Sequence, residues 1–112
     1  MDSLDLNLIT IGSGMLIVLL AIPMILGKIR PNRLYGFRTR KTLSDPDIWY
    51  LANRAAGSAM VVAGLAMMIV AGCLMLLWKD ISLNALSLIH LALWTVAIGS
   101  MVVLSFQALS RL

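Results

Sequence analysis

The chain of 112 residues contains 61% hydrophobic and 12% charged residues and carries a formal net charge of +4. A soluble domain of this length has about twice that charged fraction, so the composition excludes an ordinary soluble protein and indicates one integral membrane domain. The positive charges lie beside apolar segments, where membrane topology and anionic lipids account for them better than direct binding of nucleic acid.

Three apolar segments, at about 6–26, 55–78 and 83–109, are each long enough to cross a bilayer, which takes about 20 residues per helix. They are continuously apolar, whereas the strands of a membrane barrel alternate. The sequence therefore predicts an all-α integral membrane protein with three transmembrane helices. The acidic start, MDSLDLN, is unlike the positive start of a cleaved signal peptide, so we expect the first span to be retained.

The charge distribution predicts the orientation of the spans. Between residues 28 and 54 the basic residues are Lys28, Arg30, Arg33, Arg38, Arg40, Lys41 and Arg54, opposed only by Asp45 and Asp47. The positive-inside rule then places this basic loop (residues 28–54) and the C-terminus in the cytoplasm and the N-terminus outside. Most of these cations, namely Lys28, Arg30, Arg33, Arg40 and Lys41, are expected to serve topology and lipid contact alone.

The second half of the basic loop has the features of a helix start. Residues 28–43 show no helical periodicity, but Ser44 or Asp45 suits an N-cap and Pro46 suits a first helical turn. A helix from Pro46 to the end of the second span has about 33 residues and a length of about 50 Å, against a hydrocarbon core of about 30 Å. Its first turns therefore extend beyond the hydrocarbon core on the cytoplasmic side.

On these first turns, Trp49, Asn53 and Gly57 share one face of the helix, and Arg54 lies on the neighbouring face. One interpretation is a polar surface where Asn53 and Arg54 meet the preceding loop, with Arg38 as a second anchor. In the other, Trp49 and Tyr50 mark the membrane interface and Arg54 reaches lipid phosphates.

Small residues on the second span fall at four-residue spacing, which lets helix backbones approach closely. They form two stripes: Ala55, Ala59 and Ala63; and Ala56, Gly64 and Gly72. These stripes serve either packing within the three-helix unit or a homodimer interface. Cys73 is the only cysteine, so no intrachain disulfide exists, and we expect it to pack as a small hydrophobic residue.

The stretch PNRLYGFRTRKTLSDPDIWYLANRAAG resembles the signature of the SdpI family of bacterial membrane proteins. That signature has Asn, then Gly-x-Arg-Thr, Thr-Leu, Trp, and finally a polar residue with Arg and Gly. The matching residues are Asn32, Gly36, Arg38, Thr39, Thr42, Leu43, Trp49, Asn53, Arg54 and Gly57. Some members carry Trp before Thr-Leu and His before the Arg, where this chain has Lys41 and Asn53.

The resemblance implies a multi-pass protein of the bacterial cytoplasmic membrane, in a short form with three spans. It also implies a role in immunity against a secreted peptide toxin or in signal reception, because the best-known member protects its producer and sequesters a transcriptional repressor. The expected partners are membrane lipids and a toxin peptide, a repressor or a larger membrane complex. On this resemblance, the partner-binding residues are those of the signature.

The sequence contains no arrangement typical of an enzyme, a metal site or a cofactor site. The one histidine, His90, lies about two turns into the third span, near the outer side, and is far from the signature. We expect it to pack and to bond a backbone carbonyl or the adjacent turn, although a histidine inside a membrane is also a functional candidate. The alternative functions are an accessory subunit of a larger complex and a transporter or membrane enzyme for an anionic substrate.

Overall fold

The computed structural model describes residues 2–112 and contains four helices in that range and no strand. Helix α1 covers Ser3–Ile25, α2 covers Arg40–Ser44, α3 covers Pro46–Leu77 and α4 covers Leu83–Ser110. The three long helices are long and apolar enough to cross a membrane. This confirms the predicted all-helical class with three candidate spans.

Helix α1 has defined signals at both ends. Asp2 and Asp5 form a capping box, in which Asp2 Oδ1 accepts from the Asp5 backbone N–H at 2.9 Å. The helix continues through Pro23 and ends in a Schellman motif, in which Gly27 adopts a φ of +69° and the Lys28 N–H donates to the Pro23 carbonyl. The expected end of the first span near residue 26 agrees with this motif.

Helix α3 begins at Pro46, as its sequence predicts. Asp45 is the N-cap, and its Oδ1 accepts from the Asp47 N–H at 2.8 Å. With 32 residues the helix is about 48 Å long at 1.5 Å per residue, so it extends well beyond a hydrocarbon core of about 30 Å.

The expectation of an entirely irregular segment before α3 is wrong for its last part. Residues Arg40–Ser44 form the short helix α2, because Thr39 and Thr42 make a capping box. The Thr42 N–H donates to Thr39 Oγ1 at 3.0 Å, and the Thr39 N–H donates to Thr42 Oγ1 at 2.7 Å. A five-residue helix is too short to show a periodic pattern.

Helix α3 is the central element and packs against both α1 and α4, while α1 and α4 touch much less. The α1–α3 contact is close enough to require glycine. A Cβ on Gly14 would stand 2.6 Å from the Gly64 carbonyl oxygen, and a Cβ on Gly64 would stand 2.7 Å from the Gly14 carbonyl oxygen. On the α4 side, Ala63 and Met67 of α3 form a buried cluster with Ala97.

These contacts show what most of the small residues on α3 do. Ala56, Ala59, Ala63 and Gly64 are buried within the three-helix unit, which fits the packing interpretation of the stripes. A Cβ on Gly72 would meet nothing within 4 Å. Cys73, which was expected to pack as a small hydrophobic residue, is instead exposed on the surface of the three-helix unit.

Candidate functional site

The side chain of Asn53 binds the basic loop to the start of α3. Asn53 Oδ1 accepts from the Phe37 backbone N–H at 2.7 Å, and Nδ2 donates to the Phe37 carbonyl at 3.3 Å. Nδ2 also donates to the Trp49 carbonyl one turn earlier, at 2.9 Å. Asn53 is buried. Its side-chain amide thus bonds both the N–H and the carbonyl of Phe37, backbone groups that have no partner in a helix or strand.

Trp49 and Gly36 complete this attachment. The fully buried indole of Trp49 donates from Nε1 to the Ile29 carbonyl at 2.8 Å, which fixes the beginning of the loop. Gly36 adopts a φ of +114° and lies against the Trp49 ring, which a Cβ at position 36 would approach to 3.1 Å. We call the contacts among Gly36, Phe37, Trp49 and Asn53 the loop clasp.

Other signature residues shape the chain on either side of the clasp. Asn32 Oδ1 accepts from the N–H groups of Leu34 and Tyr35 at 2.8 and 2.7 Å, which makes an Asx-type turn directly after Pro31. Thr39 and Thr42 form the capping box of α2, and the Thr42 side chain is fully buried. These three residues therefore specify local backbone geometry.

Gly57 permits the close approach of α1 and α3 beside the clasp. A Cβ at this position would stand 2.8 Å from Ile25 Cγ1 and 3.0 Å from the Ala21 carbonyl oxygen. The residue is buried, and any side chain larger than hydrogen would push the two helices apart.

The two signature arginines differ from the other polar signature residues. Arg38 and Arg54 are exposed, and neither guanidinium makes a hydrogen bond or an ion pair within residues 2–112. Arg38 follows Phe37 and Arg54 follows Asn53, so each begins one residue from the Phe37–Asn53 hydrogen bonds. Thus Asn53 meets the loop as expected, whereas the Arg54 side chain stays on the surface; Leu43 is exposed as well.

Three contacts in this region were not anticipated from the sequence. Lys41 Nζ donates to the Leu109 carbonyl at 2.9 Å, so this lysine joins α2 to the end of α4 in addition to contributing charge. The Phe37 and Phe106 rings stack edge to face with centroids 5.2 Å apart. The Tyr35 hydroxyl donates to the Leu20 carbonyl of α1.

Tyr35 is partly desolvated by this position in the loop. The burial raises the pKa of the phenol above its ordinary value, because the charged phenolate is disfavoured away from water. The hydroxyl therefore remains a proton donor to the Leu20 carbonyl at neutral pH. The only sequence signal for the contacts of Tyr35 and Phe37 was that an aromatic residue stands on each side of Gly36.

A groove separates α1 from α4 on the loop side of the bundle. Its volume is about 410 Å³. Helix α3 and the loop residues 34–37 also contribute to its lining. The lining is almost entirely apolar and consists of Ile17, Leu20, Met24, Leu34, Tyr35, Gly36, Phe37, Ala56, Met60, Met101, Val102, Ser105 and Phe106. We call it the α1–α4 groove.

His90 belongs to a buried polar network near the other end of the bundle. Its Nδ1 lies 2.8 Å from Thr10 Oγ1, and its Nε2 lies 2.8 Å from Asn7 Oδ1. Trp94 Nε1 donates to the same Thr10 hydroxyl at 3.1 Å. Since Asn7 presents its oxygen, a neutral ring with a proton on Nε2 satisfies every contact.

This network fits the packing interpretation of His90, but the expected backbone partner was wrong. Both ring nitrogens bond side chains of α1, so His90 joins α4 to α1 instead of bonding a carbonyl or the turn before α4. No group of three or more His, Cys, Asp or Glu residues within the described range could hold a metal ion.

Comparison with known proteins gives a family for the chain. The family model of the SdpI/YfhL protein family matches residues 28–106, which include the whole signature, all of α3 and most of α4. A Bacillus subtilis (strain 168) protein described as uncharacterized protein YfhL is 35% identical over 83 residues, covering 70% of this chain and 69% of that protein. No solved structure matches the chain. With most of its length matched by the family model, the chain belongs to the SdpI/YfhL family of membrane proteins.

Proposed function

We propose that this membrane protein is a binding protein for peptide-toxin immunity or signal reception and is not an enzyme. Its partner, a peptide or a soluble protein with acidic groups, binds on the cytoplasmic side of a bacterial cytoplasmic membrane. Arg38 and Arg54 provide the contact, and the loop clasp holds the backbone that carries them. Family membership supports the class of function.

The observation that carries the proposal is that the signature contains two kinds of residue, those with contacts inside the chain and those without. Asn32, Gly36, Thr39, Thr42, Trp49, Asn53 and Gly57 all have contacts inside the chain that explain their residue type. The side chains of Arg38 and Arg54 have no such contacts within residues 2–112. Their backbone is nevertheless held in place, because each arginine follows a residue of the loop clasp. Two unpaired guanidiniums on an ordered surface suit carboxylates of a partner, which they can bind in bidentate geometry.

The nearby acidic residues do not neutralise these arginines. Asp45 caps α3 with its side chain, and no ion pair joins Asp45 or Asp47 to a basic residue in the described part of the chain. The basic loop therefore attracts anionic groups from outside the protein.

Affinity purification of the full chain from native membranes tests the proposal. We expect Arg38→Gln and Arg54→Gln each to release the captured partner, because losing one member of an interfacial charge pair costs about 2 kcal/mol or more, which is ~30-fold in affinity. Arg40→Gln is the matched control, since Arg40 is also exposed in the loop but lies outside the signature. A toxin-challenge growth assay should rank the variants in the same order.

The same purification separates the alternatives. Wild-type capture and wild-type toxin resistance in both arginine variants would overturn the assignment of these residues. Recovery of a large membrane complex in fixed ratio, unchanged by either substitution, would favour the accessory-subunit interpretation instead.

A further inference from the structure

We propose that the α1–α4 groove holds an acyl chain of an anionic phospholipid, whose headgroup is bound at Arg33 beside the loop end of the groove. The inference is independent of the proposed partner surface, because it uses the groove and Arg33, whereas that surface uses Arg38 and Arg54.

The inside of the groove accepts only an apolar occupant. Its walls are formed by residues such as Leu20 of α1 and Val102 of α4. The two hydroxyls in the lining are already occupied, because Ser105 donates to the Met101 carbonyl and Tyr35 donates to the Leu20 carbonyl. A polar ligand would leave its own groups without partners in this space.

The position of the groove favours an acyl chain as the occupant. The groove lies between α1 and α4, which are both long and apolar enough to cross a membrane. It follows α1 from Ile17 to Met24, which is about 10 Å at helical rise. In a bilayer, whose hydrocarbon core is about 30 Å thick, acyl chains are the apolar molecules that surround such a groove.

The charge at the loop end favours an anionic headgroup. Residues 34–37 of the basic loop line the groove, and Arg33 directly precedes them. Arg33 is exposed and makes no ion pair within residues 2–112. A phospholipid has an apolar chain next to a charged headgroup, and an apolar groove next to a cation matches that order. Basic pockets between transmembrane helices on the cytoplasmic side bind such headgroups.

Spin-label measurements on the full chain in bilayers test this inference. The bilayers contain phosphatidylcholine with a minor fraction of phosphatidylglycerol, labelled on the acyl chain of one lipid or the other. We expect the wild type to immobilise more phosphatidylglycerol than phosphatidylcholine. Val102→Trp, which fills the groove, should abolish this excess.

Val103→Trp is the matched control. Val102 and Val103 are 51% and 54% exposed, but only Val102 lines the groove. The control should therefore retain the wild-type excess of immobilised phosphatidylglycerol. Val102→Phe provides a second groove-filling variant if the tryptophan variant does not fold.

Arg33→Gln tests the headgroup site separately from the acyl chain. Removing one cation near an anionic surface should reduce the preference for phosphatidylglycerol about fivefold. Lys28→Gln, another exposed charge in the basic loop, should leave the preference largely intact. Partner capture should be unchanged in Arg33→Gln, so a failure of the lipid site is distinguishable from a failure of the proposed function.

Two results of the lipid measurements, and one of the partner capture, would overturn the inference. One is equal immobilisation of the two lipids by the wild type. The other is an excess of phosphatidylglycerol that survives both Val102→Trp and Val102→Phe, which would place the anionic lipid elsewhere on the surface. Displacement of a co-purified peptide by Val102→Trp, without any change in bound lipid, would assign the groove to a peptide and also refute the lipid site.

Discussion

Gly36 lies so close to Asn53 that a Cβ at position 36 would stand 2.7 Å from Asn53 Oδ1. Glycine is also required by its φ of +114°, which side chains with a Cβ rarely adopt. Both the backbone conformation at position 36 and the close contact with Asn53 thus require a residue without a Cβ. The loop clasp closes only because the residue after Tyr35 has no side chain.

Gly36→Ala should therefore open the clasp. Forcing a non-glycine residue into this region costs on the order of 1–3 kcal/mol, and the contacts with Asn53 and Trp49 add to that cost. We expect a lower midpoint of thermal unfolding in detergent and faster amide hydrogen exchange in residues 28–43. Gly99→Ala is the control, since a Cβ there meets nothing within 4 Å; equal stability of the two variants would contradict the role of Gly36.

Asn53→Asp tests the amide donor within the same clasp. Asn53 Nδ2 donates to the carbonyls of Phe37 and Trp49, and a carboxylate would place negative charge against both oxygens. A buried group left unsatisfied costs about 1–3 kcal/mol, and more when it is charged. Chemical unfolding should show this loss, whereas Asn84→Asp, at an exposed position in the first turn of α4, should be nearly neutral. Unfolding of Asn53→Asp at the wild-type denaturant concentration would show that the amide contributes little.

The sequence predicts those parts of this site that depend on local patterns. The residues Asp45-Pro46-Asp47 predict a helix start, because the cap and the first helical turn depend only on these three neighbours. Helix α3 begins there. The three spans follow from composition in the same way.

The tertiary contacts could not be predicted in this way. Gly36 meets Asn53, and His90 meets Thr10 across 80 residues, through packing that no short-range pattern encodes. The signature marked Gly36 and Asn53 as important, but only the structure shows that they touch each other and that Arg54 remains free.

Lys41→Met should loosen the end of α4. Lys41 Nζ donates to the Leu109 carbonyl, one of the last carbonyls of that helix, where a positive charge is favourable. We expect faster hydrogen exchange in the last turn of α4, measured by mass spectrometry, with no change in the first turns of α1. Lys28→Met removes an exposed lysine of the same loop and should leave α4 unchanged; identical exchange in both variants would reduce Lys41 to a topology charge.

Thr10→Val should separate α1 from α4 at the end of the bundle away from the loop clasp. The substitution keeps the shape of the side chain but removes the hydroxyl that contacts both His90 Nδ1 and Trp94 Nε1. Hydrogen bonds between transmembrane helices contribute about 1–2 kcal/mol in model peptides, so the midpoint of thermal unfolding should fall. Thr95→Val is the matched control, because the exposed Thr95 hydroxyl donates only to the Leu91 carbonyl of its own helix.

A double-mutant cycle then tests whether the hydroxyl acts through His90. If it does, Thr10→Val should cost less in a His90→Leu background than in the wild type, because the hydrogen bond is already absent there. Additive losses would show that Thr10 and His90 stabilise the bundle independently. In that case the two side chains would lie side by side without the coupling that their 2.8 Å contact predicts.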